Sequence, residues 1–150
     1  MTDIESVPGV PVKGVNLVHV EWMGDHRFDA GRAGGATIRI DASGPTGPSP
    51  VDTLLSALAS CTGVDVVDSL AKRRTPVARM RIDVEAARAD ATPSRVIGVL
   101  LTYRIAGAGI ERVHAERAIE LAVTKYCSVR DSLDPNLPVR WALELDSSPS

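Results

Sequence analysis

Residues 47–70, GPSPVDTLLSALASCTGVDVVDSL, carry the signals for one long helix. Ser49 is a suitable N-cap, Pro50 suits the first helical position, and Asp52 can complete a reciprocal cap. Apolar residues then recur at helical spacing, namely Val51, Leu54, Leu55, Leu58, Cys61, Val66, Val67 and Leu70. Because both faces of this segment are rather apolar, we predict a buried helix with a cysteine near its middle.

Strands are predicted on both sides of this helix, and a second helix follows later in the chain. An apolar stripe predicts that second helix over 115–127. Because helices are segregated from antiparallel strands, the fold class is α+β. We expect one domain over 1–150, with flexible tails at 1–12 and 147–150. Alternating apolar and polar residues predict strands over 18–22 and 36–41, two strands over 80–86 and 97–105, and a last strand over 139–145. A short pairing segment over 27–29, after a turn at 23–25, completes an antiparallel meander with the first two.

Composition and charge narrow the possible functions. The chain has 150 residues, a net charge of −2 and a pI of about 5.9, which gives no electrostatic basis for binding nucleic acid or an anionic membrane. The N-terminal residues lack a secretory signal, and the longest apolar run, 96–101, is too short to span a bilayer. Two cysteines without a disulfide framework favour a cytoplasmic location with reduced thiols. The two Cys and three His lack paired spacing, so no metal site is expected.

Cys61 and Cys127 are the candidate reactive residues. Cysteine attacks a peroxide as the thiolate, which requires a nearby cation or hydrogen-bond donor at neutral pH. Cys61 lies about three turns into its helix, where the dipole contributes little, and Cys127 is predicted near a helix C-terminus, where a thiolate is disfavoured. This asymmetry favours Cys61 as the nucleophile and Cys127 as the resolving thiol. A buried cysteine is more often an inert apolar residue, and that alternative stays open.

Two segments resemble the OsmC/Ohr superfamily. The first is 47–70, with its S-P helix start and Cys61 about three turns later, and the second is KYCSV at 125–129. They are most similar to the branch with S-P at the helix start and K-Y-C-S-V at the second cysteine. The order of strands and helices agrees over nearly the whole chain. The resemblance implies antiparallel sheets wrapped around two central helices in an intertwined homodimer, with each active site at the dimer interface.

The resemblance also implies an activity. In characterised members the first cysteine, here Cys61, attacks an organic hydroperoxide, and the second, here Cys127, resolves the sulfenic acid as an intramolecular disulfide. A dithiol, such as that of a lipoylated protein, then re-reduces the enzyme, and neither a metal nor another cofactor takes part. The expected partners are therefore a second copy of the chain, a small-molecule hydroperoxide and a dithiol reductant, with no nucleic acid and no membrane.

In the same family, an arginine of the N-terminal β region activates the first cysteine and is held by a glutamate of the first helix. Arg32 is the best candidate for that arginine here, and Arg27 is the second. Val51 stands where the family has its glutamate, so the arginine–glutamate pair is incomplete. Asp65, one helical turn after Cys61, either holds an arginine of the partner chain or bonds a nearby backbone group.

The missing glutamate motivates a second hypothesis with the same fold and no peroxidase activity. In that hypothesis, the dimer-interface cleft binds a small hydrophobic ligand, or the cysteine pair senses redox state. A third hypothesis is a structural or interaction protein whose cysteines are core residues. The sequence therefore predicts a thiol-dependent peroxidase for organic hydroperoxides, with ligand binding or redox sensing as the alternative.

Overall fold

The structure is a computed structural model that describes residues 4–148. The chain forms two compact units, one up to Pro50 and the other from Val51 onwards. The expectation of a single domain with flexible ends stays a prediction. Of those ends, residues 1–3 and 149–150 lie outside the described part of the chain.

The first unit contains a three-stranded antiparallel meander, as the alternating residues predicted. Its strands are β1 (His19–Trp22), β2 (Arg27–Gly31) and β3 (Thr37–Asp41), in the order β1-β2-β3. Trp22 faces Phe28 across the first pair, and Ala30 faces Ile38 across the second. The predicted alternation of apolar and polar residues therefore places apolar side chains opposite each other on one face of the sheet.

Asp41 orders the Gly- and Pro-rich loop that follows β3. Its nearly buried carboxylate accepts hydrogen bonds from the backbone N–H of Ser43 at 2.9 Å and from the hydroxyl of Thr46 at 2.7 Å. The Thr46 hydroxyl in particular holds the pKa of Asp41 below its ordinary value, against the effect of burial. This segment is thus a structured loop.

The long helix α1 (Pro50–Lys72) starts at the predicted proline and belongs to the second unit from Val51 onwards. Leu58, Val66 and Leu70 are fully buried along it. A Cβ at Gly63 would lie 3.2 Å from Cδ1 of Ile82, so glycine lets the following sheet approach the helix closely. By length and composition alone α1 could cross a membrane, a property that core helices of soluble proteins share.

The second unit also contains a three-stranded sheet. It consists of β4 (Arg79–Arg88), β5 (Val96–Ala106) and β6 (Val139–Asp146), with β5 in the middle. The β4–β5 pair is antiparallel, as predicted, but β6 runs parallel to β5. The expectation of purely antiparallel sheets is therefore corrected here. The helical crossover between β5 and β6 supplies the connection that a parallel pair requires.

The predicted second helix is made of three pieces. Helix α2 (Arg112–Leu121) continues as one π-helical turn (Ala122–Tyr126), and the short helix α3 (Ser128–Asp131) follows. Cys127 stands between the last two in an extended conformation, with φ −75° and ψ 109°. The helix therefore ends one residue before the cysteine, and the chain then changes direction at the thiol.

Candidate functional site

Cys61 lies near the middle of α1, in the second unit. Its side chain is half-buried and packs against the hydrophobic core formed by α1, β5 and α2. The next residue, Thr62, is fully buried. The helix thus places the first cysteine at the edge of the core.

Cys127 is buried, with 3% of its surface exposed. As the N-cap of α3, its Sγ accepts a hydrogen bond from the backbone N–H of Arg130 at 3.3 Å. The sequence analysis placed this cysteine near a helix C-terminus, where carbonyls face the sulfur. That position is confirmed, since Cys127 is the C-cap of the π-helical turn. A new helix starts at once, however, and turns its N–H groups toward the thiol, so the expected environment of carbonyls alone is corrected.

The structure brings the two cysteines together. Both are free, and Cys127 lies close enough to Cys61 for that thiol to raise the pKa of Cys127. Burial above all raises the pKa of Cys127, and the neighbouring Cys61 adds to the increase. The N–H groups of Arg130 and Val129 act in the opposite direction. At neutral pH, Cys127 is therefore held as the protonated thiol.

Thr62 and Tyr103 accompany the thiol pair and were not identified from the sequence. The Tyr103 hydroxyl lies 2.5 Å from that of Thr62, and both residues are fully buried. Thr62 donates its own proton to the carbonyl of Ala59 at 2.8 Å, so Tyr103 is the donor in this pair. Burial raises the pKa of Tyr103 to about 12, and the charge of a Cys127 thiolate contributes to the increase. Their sequence signals are slight, a lone aromatic residue in an aliphatic strand and a threonine beside a cysteine.

Arg130 joins the second cysteine to the loop that follows α3. Its guanidinium donates to the carbonyls of Asp134 at 3.0 Å and Leu137 at 2.8 Å. Leu133 and Leu137 of this loop pack against the core. Side-chain-to-carbonyl contacts of this kind leave no periodic pattern, so the sequence did not reveal them.

Asp65 is half-buried, one turn after Cys61 on α1. It lines a surface cleft of about 620 Å³ together with Asp68, Lys72 and Tyr126. Lys72 places a cation among the lining residues of this cleft. Whether Asp65 also holds an arginine of a second chain stays a prediction.

The two arginine candidates lie in the first unit. Arg32 is exposed in the turn between β2 and β3, where its carbonyl accepts from the N–H of Gly35 at 3.0 Å. Arg27 opens β2, is paired with Asp25 at 3.4 Å, and has a buried Nε with no hydrogen-bond partner among the described residues. Their predicted roles toward Cys61 stay predictions.

Within residues 4–148, no group of three or more His, Cys, Asp or Glu side chains is placed to hold a metal ion. The described site contains two thiols, with the backbone N–H of Arg130 as a hydrogen-bond donor to one of them.

Comparison with known proteins identifies the class to which this fold and thiol pair belong. The family model described as OsmC-like protein matches residues 41–142. The chain therefore belongs to the OsmC-like protein family, which confirms the resemblance noted in the sequence.

Individual relatives agree with this assignment. Protein YhfA of Escherichia coli (strain K12) is 28% identical over 127 residues, which are 84% of this chain and 95% of YhfA. The OsmC-like protein of Mycoplasma pneumoniae is 15% identical with a TM-score of 0.75, covering 90% of this chain and 99% of the other. Organic hydroperoxide resistance protein OhrB of Bacillus subtilis is 15% identical with a TM-score of 0.59, covering 89% and 100%. The two structures show a common α+β fold.

Proposed function

We propose that this protein is a thiol-dependent peroxidase that reduces organic hydroperoxides with Cys61 and Cys127. The observation that carries the proposal is the proximity of the two thiols, which lie far apart in sequence and border the same core. OhrB, which has this fold, is named for resistance to organic hydroperoxides. The family and fold support the same class of chemistry.

The reaction consists of two steps at sulfur. The Cys61 thiolate attacks the outer oxygen of the hydroperoxide, the O–O bond breaks, and an alcohol leaves after taking up a proton. This step oxidises Cys61 to a sulfenic acid. Cys127 then attacks the Cys61 sulfur, the S–O bond breaks, and water leaves with the Cys127 proton, so that an intramolecular disulfide remains.

The surroundings of the two thiols support these roles. Cys61 is the more exposed of the pair and is better placed to meet a substrate. Cys127 is buried and protonated, so its S–H is available as a hydrogen-bond donor to a Cys61 thiolate. When the disulfide is later reduced, the Arg130 N–H at the cap can stabilise Cys127 as the leaving thiolate.

Turnover requires a reductant and a cation. A dithiol, such as that of a lipoylated protein, would exchange with the disulfide and restore both thiols without a metal or another cofactor. A reducing compartment such as the cytoplasm suits this cycle. For the cation that activates Cys61, Arg32 is the first candidate and Arg27 the second, and Asp65 would orient an arginine of a second chain.

The proposal includes a homodimer. Large apolar residues are exposed on the meander, namely Val20, Trp22, Phe28 and Ile38. Two more, Val64 and Val67, are exposed on α1. Contiguous apolar surfaces of this kind mark association sites. We expect a dimer in sedimentation equilibrium and a shift toward monomer in Val64→Asp, whereas Val113→Asp, at an exposed valine of α2, should leave the assembly unchanged. A monomer at all concentrations would contradict this part of the proposal.

Mass spectrometry of the reduced protein tests the redox pair. After brief exposure to cumene hydroperoxide, we expect the intact mass to show loss of both thiol hydrogens and a peptide linking Cys61 to Cys127. The same dose of hydrogen peroxide should give slower oxidation. With excess dihydrolipoamide, the protein should consume the organic peroxide through many cycles.

Single-cysteine variants serve as matched controls. Cys127→Ser should stop at a Cys61 sulfenic acid that dimedone traps, whereas Cys61→Ser should leave Cys127 reduced. A disulfide that forms once without turnover would favour redox sensing over peroxidase activity. Two thiols that stay reduced in excess organic peroxide would overturn the proposal.

A further inference from the structure

A second feature of the C-terminal unit lies apart from the thiol chemistry. It is a cleft of about 410 Å³ between the N-terminal half of α1, the start of β5 and the loop after α3. This volume is within the range of small-molecule sites. Its apolar walls include Leu54, Leu55, Leu58, Val96, Leu133 and Leu137.

One wall of this cleft is fixed in place. Leu133 and Leu137 belong to the loop that Arg130 holds through the carbonyls of Asp134 and Leu137. On the opposite wall, Leu58 is fully buried in a regular helix. A ligand would therefore meet preformed walls, which reduces the ordering cost of binding.

The lining also contains one cation whose charge is not neutralised within the described residues. Arg95 lines the cleft, is exposed, and forms no ion pair in the part of the chain that the structure describes. The carboxylate of Asp134, the acidic residue of the lining, accepts the backbone N–H of Asn136 at 2.8 Å and so is held by its own loop. Arg95 would therefore complement an anionic group on the ligand.

From these features we propose that the cleft binds an aliphatic carboxylate. The alkyl chain lies along the leucine-lined walls, and the carboxylate pairs with the Arg95 guanidinium, whose planar donors match it in a two-point contact. Val51 lines the same cleft, so the wall that α1 contributes to the cleft is apolar at this position as well. The site uses neither cysteine, so its ligand can be an unoxidised carboxylate that is not a substrate of the peroxidase.

Calorimetric titration with decanoate, below its micellar concentration, tests the site in the full chain. The titration uses the Cys61→Ser/Cys127→Ser variant, so failure of the peroxidase proposal does not affect the result. We expect saturable binding of one decanoate per chain. Arg95→Gln should weaken it about tenfold, as for loss of one charged hydrogen-bonding partner.

Two further variants distinguish specific binding in this cleft from nonspecific hydrophobic binding elsewhere on the protein. Arg140→Gln, at an exposed arginine of β6 outside the cleft, should bind decanoate like the parent. Leu54→Glu, at a residue that is 43% exposed and so tolerates a polar side chain, should abolish binding by placing a negative charge in the cleft. Equal affinities for decanoate and 1-decanol, no effect of Arg95→Gln, or no saturable binding would each overturn the proposal.

Discussion

The backbone N–H of Arg130 donates to the sulfur of Cys127 at 3.3 Å, while the side chain of the same residue holds the loop carbonyls of Asp134 and Leu137. One residue therefore caps the buried thiol through its backbone and fixes the adjacent loop through its guanidinium. Substitution of the side chain leaves the backbone donor in place, so the two roles can be separated by experiment.

Arg130→Gln should loosen the loop without removing the cap. The variant loses two hydrogen bonds from a charged donor, so we expect the free energy of unfolding in urea to fall by about 1–3 kcal/mol. Hydrogen exchange of residues 131–137 should become faster. Arg117→Gln, at an exposed arginine of α2, is the matched control and should change neither quantity. Unchanged exchange in the loop of Arg130→Gln would show that the contacts to the carbonyls do not hold it.

The buried hydroxyl pair predicts a double-mutant cycle. In Thr62→Val the Tyr103 hydroxyl loses its acceptor inside the core, so we expect a loss of about 1–3 kcal/mol in the free energy of unfolding. Tyr103→Phe removes the donor and leaves Thr62 bonded to Ala59, which should cost less. The double variant should be more stable than the sum of the two losses implies.

Urea unfolding of the four proteins measures this coupling. Strictly additive losses would mean that the two hydroxyls do not interact in solution.

The raised pKa of Cys127 predicts how stability depends on pH. Below the ordinary thiol pKa of about 8.5, the thiol is protonated in both the folded and the unfolded chain, so pH has no effect through this group. Above that value the unfolded chain ionises first because the folded pKa is raised, and stability falls as pH increases.

Stability measurements between pH 7 and 10, in the presence of a phosphine reductant, test this effect. Wild type should lose stability with pH more steeply than Cys127→Ala, and the difference should grow above about pH 8.5. Tyr103 also has a raised pKa, chiefly through burial, and is present in both proteins, so the part of its contribution that comes from burial cancels in the comparison. Parallel curves for the two proteins would contradict the raised pKa of Cys127.

The sequence predicted most of this fold because the decisive signals are local. The proline at the start of α1 and the period-two alternation of five of the six strands place these elements without any long-range information. The parallel pairing of β6 with β5 was missed because alternation shows which face of a strand is buried, not the direction of its neighbour.

The residues of the candidate site that carry local sequence motifs could also be predicted, whereas those that depend on long-range contacts could not. Cys61 and Cys127 were identified from their motifs, and the structure places them near each other, while their roles in catalysis stay predictions. The cap at Cys127 depends on a π-helical turn that ends the helix one residue early, and an apolar stripe at a spacing of three to four does not reveal such a turn. The contact of Thr62 with Tyr103 joins residues on different elements, so no local pattern records it.

Gly63 predicts a steric limit at the contact between α1 and β4. A Cβ at this position would lie 3.2 Å from Cδ1 of Ile82, closer than an ordinary van der Waals contact, so the bulkier side chain of Gly63→Val requires Ile82 to shift. We expect a loss of about 1–3 kcal/mol in the free energy of unfolding, as for other overpacked cores. Gly98→Val, at a strand glycine with open space around its Cβ position, is the matched control and should cost less.

The overlap can be relieved at the other side of the contact. Ile82→Val removes the methyl group that Gly63→Val meets, and on its own costs about 0.5–1.5 kcal/mol. In the double variant the removed methyl makes room for the added ones, so the combined loss should be smaller than the sum of the two single losses. Urea unfolding of all four proteins measures this difference. A double variant with the full additive loss would mean that α1 and β4 separate in response to the valine, and that glycine at this position does not set the spacing of helix and sheet.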